Sequence, residues 1–306
     1  MSRILITGAG GNVGRALLAA LRGHDVLATD LNPVPDVAFA RMDVTGEDPG
    51  RVIGDFRPEV VVHLASIVTP PRGSTRDLEW RVDVQGSRNV LEACLRHGVR
   101  RLVVTSSGAA YGYHADNPVP LSEAAPLRGN PEFPYADHKR QVEESLARAR
   151  ADHPALEQVV LRVGTVLGEG VENQITALFR RPRLLAVAGS DSPFVFIHTD
   201  DLGAILIRAA GDGPAGIFNV AGDGAMTVGD LARALGKPVL TLPPALLRAA
   251  LAVARPLGLS RYGPEQVRFL QYRPVLDNTA LKERFGYTPA LTSAQVFARW
   301  QAWAGL

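Results

Sequence analysis

Short apolar runs alternate with amphipathic helical patterns over the first 165 residues of the chain. Continuous runs of Val, Ile and Leu are typical of strands that are buried on both faces, and helical stretches between them are typical of βαβ units. Because such crossovers are nearly always right-handed, the pattern predicts an α/β fold with a doubly wound parallel sheet. The predicted strands are Arg3–Thr7, Val26–Asp30, Val60–Ala65, Arg101–Ser106 and Gln158–Val163, and the predicted helices lie near Asn12–Leu21, Thr75–His97 and Tyr135–Ala151.

The alternation weakens after residue 165, where Gly and Pro become frequent and helical patterns dominate. One strand-like run, Ile217–Ala221, is expected to rejoin the sheet. We therefore expect a sheet domain at 1–165 to which 194–225 returns, and a smaller, mostly helical C-terminal lobe formed by 166–193 and 226–306. The helices predicted in the lobe are Val228–Leu235, Pro244–Val253, Pro264–Leu270 and Thr292–Ala304.

Composition and charge narrow the class of protein. Apolar residues make up 46% and charged residues 21% of the 306 residues, and the net charge of +2 is too small to indicate a nucleic-acid partner. The single cysteine, Cys94, excludes an intramolecular disulfide and fits a reducing compartment. The chain shows no signal-peptide layout, and its longest apolar helical stretch is shorter than the ~20 residues of a membrane span. We therefore expect a cytoplasmic protein that has no membrane partner.

A glycine-rich turn connects the first strand to the first helix, and it reads TGAGGNVG at 7–14. Glycine at 8 permits a tight turn, glycine at 11 lets the backbone approach a pyrophosphate, and glycine at 14 lets helix and strand pack closely. The N–H groups at the start of the helix then favour the phosphates. The turn therefore predicts a Rossmann domain that binds a dinucleotide, with Gly8, Gly11, Asn12, Val13 and Gly14 as cofactor-binding residues.

Acidic residues at the ends of the next strands indicate which dinucleotide is bound. Asp30 ends the second predicted strand, where a carboxylate can accept hydrogen bonds from the ribose hydroxyls of the adenosine and would repel a 2′-phosphate. The sequence therefore favours NAD over NADP. Asp43 and Val44 follow the next apolar run and are weaker candidates for residues that border the adenine.

A tyrosine and a lysine, Tyr135 and Lys139, are spaced four residues apart at the start of a predicted helix, so their side chains project from one face. An ammonium beside a phenol stabilises the phenolate, and such a tyrosine can act as general acid and base at a carbon that becomes a carbonyl. Ser107 follows a strand at its carboxyl end, where ligands bind in open α/β sheets, and its hydroxyl could hold the substrate oxygen. Glu143 extends the same helical face.

The ordered motifs are TGAGGNVG at 7–14, Asp30, HLAS at 63–66, SSGAAYG at 106–112, the Tyr135–Lys139 pair, LRVG at 161–164, FIHTDDL at 196–202 and FGYTP at 285–289. This set resembles the extended short-chain dehydrogenase/reductase superfamily. It most resembles the NAD-dependent epimerase/dehydratase family, which includes UDP-glucose 4-epimerase. The resemblance covers nearly the whole chain.

The resemblance implies roles at the matching positions. Ser107 corresponds to the catalytic serine or threonine, Tyr135 to the acid and base, and Lys139 to the contact with the nicotinamide ribose. The segment Leu64, Ala65 and Ser66 would border the cofactor. The family also implies a homodimer, for which the long helices near 75–97 and 134–151 would form a four-helix interface.

Four positions depart from the family pattern: Asp83 replaces an asparagine, Thr165 another asparagine, Phe194 an arginine found in some epimerases, and His138 a small residue. The cofactor half therefore matches well and the nucleotide-sugar half does not. Arg180, Arg183 and Arg273 are the candidates for substrate diphosphate contacts.

The leading hypothesis is a nucleotide-sugar 4-epimerase that works through a transient 4-keto intermediate and regenerates NAD in each cycle. The first alternative is a net NAD(P)-dependent reductase or dehydrogenase of a carbonyl or alcohol. The second is a cofactor-binding sensor without turnover, although such proteins typically lose the tyrosine or the lysine. The sequence lacks a G-x-S-x-G elbow and metal-ligand spacings, so neither a serine hydrolase nor a metal site is expected.

Overall fold

A parallel sheet forms the centre of the computed structural model, which describes residues 2–21, 23–71, 73–260 and 263–306. The strands are β1 (Arg3–Thr7), β2 (Asp25–Asp30), β3 (Phe39–Arg41), β4 (Val60–His63), β5 (Arg101–Ser107), β6 (Glu157–Val163), β7 (Thr165–Leu167), β8 (Leu184–Val187), β9 (Phe196–His198), β10 (Gly216–Val220) and β11 (Val239–Leu242). Seven of these described strands form the main sheet in the order β3-β2-β1-β4-β5-β6-β10. Every pairing in it is parallel, which confirms the predicted fold class.

Helices cover both faces of the sheet. They are α1 (Asn12–Ala20), α2 (Asp48–Phe56), α3 (Arg76–Trp80), α4 (Gly86–Arg96), α5 (Pro134–Asp152), α6 (Gln174–Phe179), α7 (Thr199–Ala210), α8 (Val228–Leu235), α9 (Pro244–Ala254), α10 (Gln266–Gln271), α11 (Thr279–Glu283) and α12 (Ser293–Ala304). A π-helical turn at Arg81–Gln85 joins α3 to α4, and a 3₁₀ turn at Gly108–Tyr111 follows β5. Among the described residues, no helix is both long and apolar enough to span a bilayer.

Alternate side chains of the strands fill two separate cores, as a doubly covered sheet requires. On β1, Ile4 and Ile6 pack into the core beneath α1 and α7, whereas Leu5 packs into the core beneath α2, α4 and α5. Cys94 is buried in the second core, and burial raises the pKa of its thiol, which fits a packing role.

The structure differs from the sequence prediction at several boundaries. Strand β4 ends at His63 and not at Ala65, because the N–H of Ala65 leaves the ladder and donates to the side-chain oxygen of Thr7 at 3.2 Å. The helix predicted over Thr75–His97 begins with α3 and passes through the π-helical turn before α4. The short strand β3 and the two-stranded pairs β7–β9 and β8–β11 were not predicted.

The C-terminal part of the chain builds a third core from aromatic rings. Phe179 lies edge-on to Phe297 and to Trp300, with centroid distances of 5.3 and 5.6 Å. Its helices have well-defined starts: capping boxes at Thr227 and Thr292 satisfy the first N–H groups of α8 and α12. This core positions the secondary elements that lie over the carboxyl ends of the main strands.

A buried polar network links α5 to the sheet. The guanidinium of Arg162 on β6 donates to the Glu143 carboxylate through Nε at 2.9 Å and through Nη2 at 2.7 Å. Ser106 on β5 donates to the same carboxylate at 2.5 Å. Arg162 also donates to the hydroxyl of Tyr111 at 2.8 Å, and that hydroxyl donates to Asn219 on β10 at 2.8 Å.

Candidate active site

The glycine-rich turn is packed so tightly that side chains are excluded. Gly8 has φ +67°, and a Cβ atom there would lie 2.7 Å from the backbone nitrogen of Ala65. A Cβ atom on Gly14 would lie 2.6 Å from the carbonyl oxygen of Gly8. Helix α1 begins at Asn12, and its N-cap residue Gly11 has no side chain with which to cap the N–H groups of the first turn. These N–H groups are therefore available to an anionic ligand.

Asp30 lies directly against this turn. Its Oδ2 atom accepts a hydrogen bond from the N–H of Gly10 at 2.9 Å, and its Oδ1 atom accepts one from Leu31 at 2.7 Å. A Cβ atom on Gly10 would lie only 3.1 Å from the Asp30 carboxylate. Sequence reasoning missed Gly10, although its place inside the glycine cluster was a usable signal.

The structure gives Asp43 contacts within its own loop and packs Val44 against α4. The carboxylate of Asp43 accepts hydrogen bonds from the N–H and the hydroxyl of Thr45 at 2.9 and 2.7 Å. Val44 is buried against Gly86, where a Cβ atom would lie 2.6 Å from the Val44 side chain. Both residues therefore stabilise the end of the β3 segment.

The three predicted catalytic residues line one cavity of about 620 Å³. Tyr135 and Lys139 lie in the first turns of α5, and the Lys139 ammonium is 5.6 Å from the centroid of the Tyr135 ring. Lys139 donates to the carbonyl oxygen of Thr105 at 3.0 Å, which fixes the ammonium at the carboxyl end of β5. Ser107 ends that strand, and its hydroxyl oxygen accepts the N–H of Ala109 at 3.1 Å.

Residues predicted to border a cofactor reach the same cavity, since Val13, Leu64 and Ser66 are among those that line it. The glycine turn and the proposed acid–base pair thus lie at one edge of the sheet, at the carboxyl ends of β1, β4 and β5. This is the edge at which open α/β sheets bind ligands.

A neutral histidine lies beneath this edge. Burial, together with the charge of Lys139, lowers the pKa of His63 to about 3. The Thr7 hydroxyl oxygen already accepts the N–H groups of Leu64 and Ala65, so it donates to Nδ1 of His63 at 2.7 Å. The Nε2 atom of the ring then donates to Ser87 at 2.9 Å. The sequence had shown His63 only as part of a motif.

Two departures from the family pattern contact each other. His138 and Asp83 are both buried, and Nδ1 of His138 lies 3.1 Å from Oδ2 of Asp83. The other carboxylate oxygen accepts the hydroxyl of Ser66 at 2.9 Å and the N–H of Ile67 at 2.8 Å. Burial by itself would raise the pKa of Asp83, but the hydrogen bond from His138 and the charge of Lys139 hold it below 3.8.

The candidate substrate arginines lie in different environments. Arg180 is on the surface, 3.6 Å from Glu172, and is not among the described residues that line the cavity. Arg183 and Arg273 line it, as does Arg181. The guanidinium of Arg273 lies 3.7 Å from the ring centroid of Phe194 and donates through Nε to the carbonyl of Ser192 at 3.0 Å.

His198 has a local structural contact. Its Nδ1 atom accepts the N–H of Asp200 at 3.2 Å and so caps the start of α7. The neighbouring Asp201 accepts hydrogen bonds from the Tyr287 hydroxyl at 2.7 Å and from Ala290 at 2.9 Å. This group therefore connects α7 to the C-terminal segment.

Comparisons with known proteins agree with this geometry. The model of the family described as the NAD dependent epimerase/dehydratase family matches residues 4–221. An uncharacterised protein of Mycobacterium bovis is 25% identical over 307 residues, covering 96% of this chain and 82% of that protein. A UDP-glucose 4-epimerase of Azospirillum brasilense is 32% identical over 177 residues, covering 54% of this chain and 49% of that protein. The crystal structure of Thermus thermophilus UDP-glucose 4-epimerase in complex with NAD has a TM-score of 0.75 at 25% identity and covers 99% of each chain.

The buried pair of Asp83 and His138 generates a test of stability. We expect His138→Ala to lower the free energy of unfolding by about 1–3 kcal/mol, because a buried carboxylate loses a hydrogen-bond partner. Adding Asp83→Asn to His138→Ala should recover part of this loss, because an amide carries no charge that needs a partner. Urea unfolding of the wild type, the single variant and the double variant at neutral pH measures both effects.

The dependence of the free energy of unfolding on pH in acid provides the control. Because the pKa of Asp83 is lowered in the folded protein, its ionised form stabilises the fold above 3.8, and this contribution is lost as the pH falls through the folded pKa. The free energy of unfolding of the wild type should therefore fall more steeply in acid than that of Asp83→Asn. Equal slopes would contradict the assignment.

Proposed function

The chain belongs to the NAD-dependent epimerase/dehydratase family, whose members are enzymes of the extended short-chain dehydrogenase type, and we propose that Tyr135 is the acid and base of its reaction. In the proposed step Tyr135 takes the proton of a substrate hydroxyl, and NAD held by the residues of the glycine turn would supply the hydride acceptor. The observation that carries the proposal is that Ser107, Tyr135 and Lys139 line one cavity beside the glycine turn.

The residues of the turn fit the dinucleotide. Its pyrophosphate would lie at the start of α1, held by Gly8, Gly11, Asn12, Val13 and Gly14, where any Cβ atom at 8 or 14 would meet backbone. Asp30 would accept the adenosine ribose hydroxyls, and Leu64, Ala65 and Ser66 would border the nicotinamide half. When bound, NAD supplies the hydride acceptor.

The protein's own side chains handle the proton. The ammonium of Lys139 donates to the carbonyl oxygen of Thr105 and lies 5.6 Å from the centroid of the Tyr135 ring. In the proposed step its positive charge would lie beside the phenol as the proton moves. The phenolate takes the hydroxyl proton as the carbon becomes a carbonyl, and it returns that proton when the reaction runs backwards. The Ser107 hydroxyl is the proposed partner of the substrate oxygen.

The specific reaction that the similar proteins support is 4-epimerisation of a nucleotide-sugar. In that reaction Tyr135 takes the proton of the 4-hydroxyl, the transient 4-keto sugar turns over in the cavity, and the hydride returns to its other face. Two of the similar proteins are UDP-glucose 4-epimerases, which supports this form. Arg273 is the proposed contact for an anionic substrate group, while Arg180 would have to leave Glu172 to serve.

A second candidate is a net dehydrogenase or reductase with a cofactor that exchanges. The apolar lining of much of the cavity favours it, because ribose and phosphate groups need hydrogen-bond partners when they leave water. In this reaction Tyr135 and Lys139 keep the same roles, and the cofactor leaves the protein after each turnover.

We extend the proposal to the roles of the two parts of the chain, to its location and to its oligomeric state. The sheet domain at 1–165 and 194–225 would bind NAD, and the lobe at 166–193 and 226–306 would bind the substrate. The aromatic core joins the two, because Phe194 and Phe196 of the returning segment pack with rings of the lobe. The protein would work in the cytoplasm. It would form a homodimer through α5 and the helical segment from α3 to α4.

The acid–base role of Tyr135 is tested by Tyr135→Phe. We expect a loss of 10²-fold or more in kcat, on the order of what a positioned general acid contributes, with NAD affinity unchanged. Interconversion of UDP-glucose and UDP-galactose and NADH formation from secondary alcohols are the two readouts. Tyr113→Phe is the matched control: Tyr113 lines the same cavity, burial raises its pKa, and activity should stay within a few-fold. Activity of Tyr135→Phe within a few-fold of wild type would remove the proposal.

The NAD content of the purified protein separates the two candidate reactions. An enzyme that regenerates NAD in each cycle should release close to one NAD per chain when it is denatured, whereas a net dehydrogenase should be largely free of NAD and should bind it reversibly. Chromatography of the supernatant after acid denaturation gives the ratio. Release of NADP in place of NAD would contradict the role of Asp30.

The homodimer is tested by the mass in solution. Light scattering should give twice the 32.7 kDa of one chain. A mass of one chain at all concentrations used for assay would exclude the dimer as the working form.

A further inference from the structure

Six aliphatic side chains from four elements of the C-terminal lobe line the cavity, and we call them the lobe wall. They are Ile175, Leu178, Leu185, Val228, Leu247 and Leu251. None of these side chains carries a hydrogen-bonding group, so this surface cannot replace the water that a polar ligand loses. The wall is therefore suited to apolar surface.

The aromatic ring of Phe194 continues this apolar surface at a position where some sugar epimerases carry an arginine. The ring stacks on Phe196 with a centroid distance of 5.8 Å and an angle of 6° between their planes. It also lies edge-on to Phe179 at 5.6 Å. Neighbouring rings hold Phe194 on two sides, so its ring extends the lobe wall. The cationic side chains that line the same cavity are Lys139, Arg181, Arg183 and Arg273.

The cation nearest to that ring is engaged by the protein. Arg273 lies over the ring of Phe194, and both Nε and Nη2 donate to the carbonyl oxygen of Ser192. Burial lowers the pKa of this guanidinium to about 9, so it is still charged at neutral pH. Its position over the Phe194 ring places the Arg273 guanidinium beside the lobe wall.

We infer that the lobe wall binds an apolar body of the substrate, so that the substrate is a secondary alcohol or ketone on a large apolar skeleton and not a nucleotide-sugar. The inference rests on the net dehydrogenase or reductase reaction, the second candidate above, and adds the chemical class of its substrate. The cavity of about 620 Å³ is also lined by Val13, Leu64 and Ser66, which are assigned to the cofactor, so the substrate would occupy the part that the lobe wall lines. A polar group of a nucleotide left unpaired against this wall would weaken binding, whereas each methylene buried there would strengthen it.

The reaction balances with NAD as the oxidant. The C–H bond of the carbinol carbon breaks, and its hydride passes to the nicotinamide of NAD, which is reduced to NADH. The O–H bond breaks and its proton passes to the Tyr135 phenolate. The alcohol becomes a ketone, and the reverse direction reduces the ketone with NADH.

Binding of cyclic secondary alcohols to the NAD-loaded protein tests the inference. The probes are a series from cyclopentanol to cyclododecanol, and calorimetry gives the dissociation constants. We expect the constant to fall about fourfold for each added methylene until the cavity is filled. UDP and UDP-glucose should bind more weakly than the largest alcohol that fits. A flat series, or UDP that binds more tightly than every alcohol, would overturn the inference.

Two leucines of α9 provide a matched pair of variants. Leu251 lines the cavity, whereas Leu246 on the same helix is 55% exposed. Leu251→Gln should weaken binding of the larger alcohols by about 5–10-fold, because it places an amide against apolar ligand, and Leu246→Gln should leave binding unchanged. Equal effects of the two changes would show that the wall does not bind the ligand.

A nearly isosteric variant guards against misfolding of Leu251→Gln. Val228→Thr exchanges a methyl group for a hydroxyl in the wall and should weaken binding about 2–5-fold. If the dissociation constants fall with ring size for the wild type and Val228→Thr does not change them, Val228 does not contact the ligand. That result would contradict the inference at this position. Because these measurements need no turnover, their failure is distinguishable from a failure of the acid–base role of Tyr135.

Discussion

The buried ion pair between Glu143 and Arg162 is the constraint on which the site depends. Glu143 lies one helical turn beyond Lys139 on α5, and Arg162 lies on β6, so the pair fixes the helix against the sheet. Ser106 donates to the same carboxylate from the position next to Ser107. A buried pair of this kind is stable only when its remaining hydrogen bonds are satisfied, and the network through Tyr111 supplies them. The pair therefore sets where the phenol, the ammonium and the serine hydroxyl can meet.

Asp83 and His138, two residues that depart from the family pattern, contact each other in the structure. An aspartate at 83 puts a charge beneath the cavity, and a histidine at 138 puts a bulky ring where a small side chain is usual. Placed 3.1 Å apart, the ring and the carboxylate satisfy each other, while Ser66 and Ile67 use the second oxygen. The segment that follows β4 and helix α5 are thus joined through two residues that both depart from the family pattern.

Sequence patterns were sufficient where the signal is local and strong. Strand β1 and helix α8 have the predicted bounds, because a short apolar run and a capping box each determine their own segment. The three-residue strand β3 was missed since it is too short to show a period. The motifs singled out Ser107, Tyr135 and Lys139, and these three residues line one cavity in the structure. The position of Arg180, in contrast, depends on how the C-terminal lobe folds over the sheet. Likewise, the role of Gly10 requires knowing that Asp30 approaches it from 20 residues away.

Strand β10 has a consequence for the order in which the protein can fold during synthesis. It pairs with β6 only after more than 50 residues of intervening chain have been made, and its Asn219 receives the Tyr111 hydroxyl and donates to the carbonyls of Leu121 and Asp277. A nascent chain that stops after β6 would therefore leave the polar centre of the sheet incomplete. The seven-stranded sheet and its polar centre are therefore complete only after β10 and the carbonyl of Asp277 have been synthesised, and contacts of such long sequence separation slow folding.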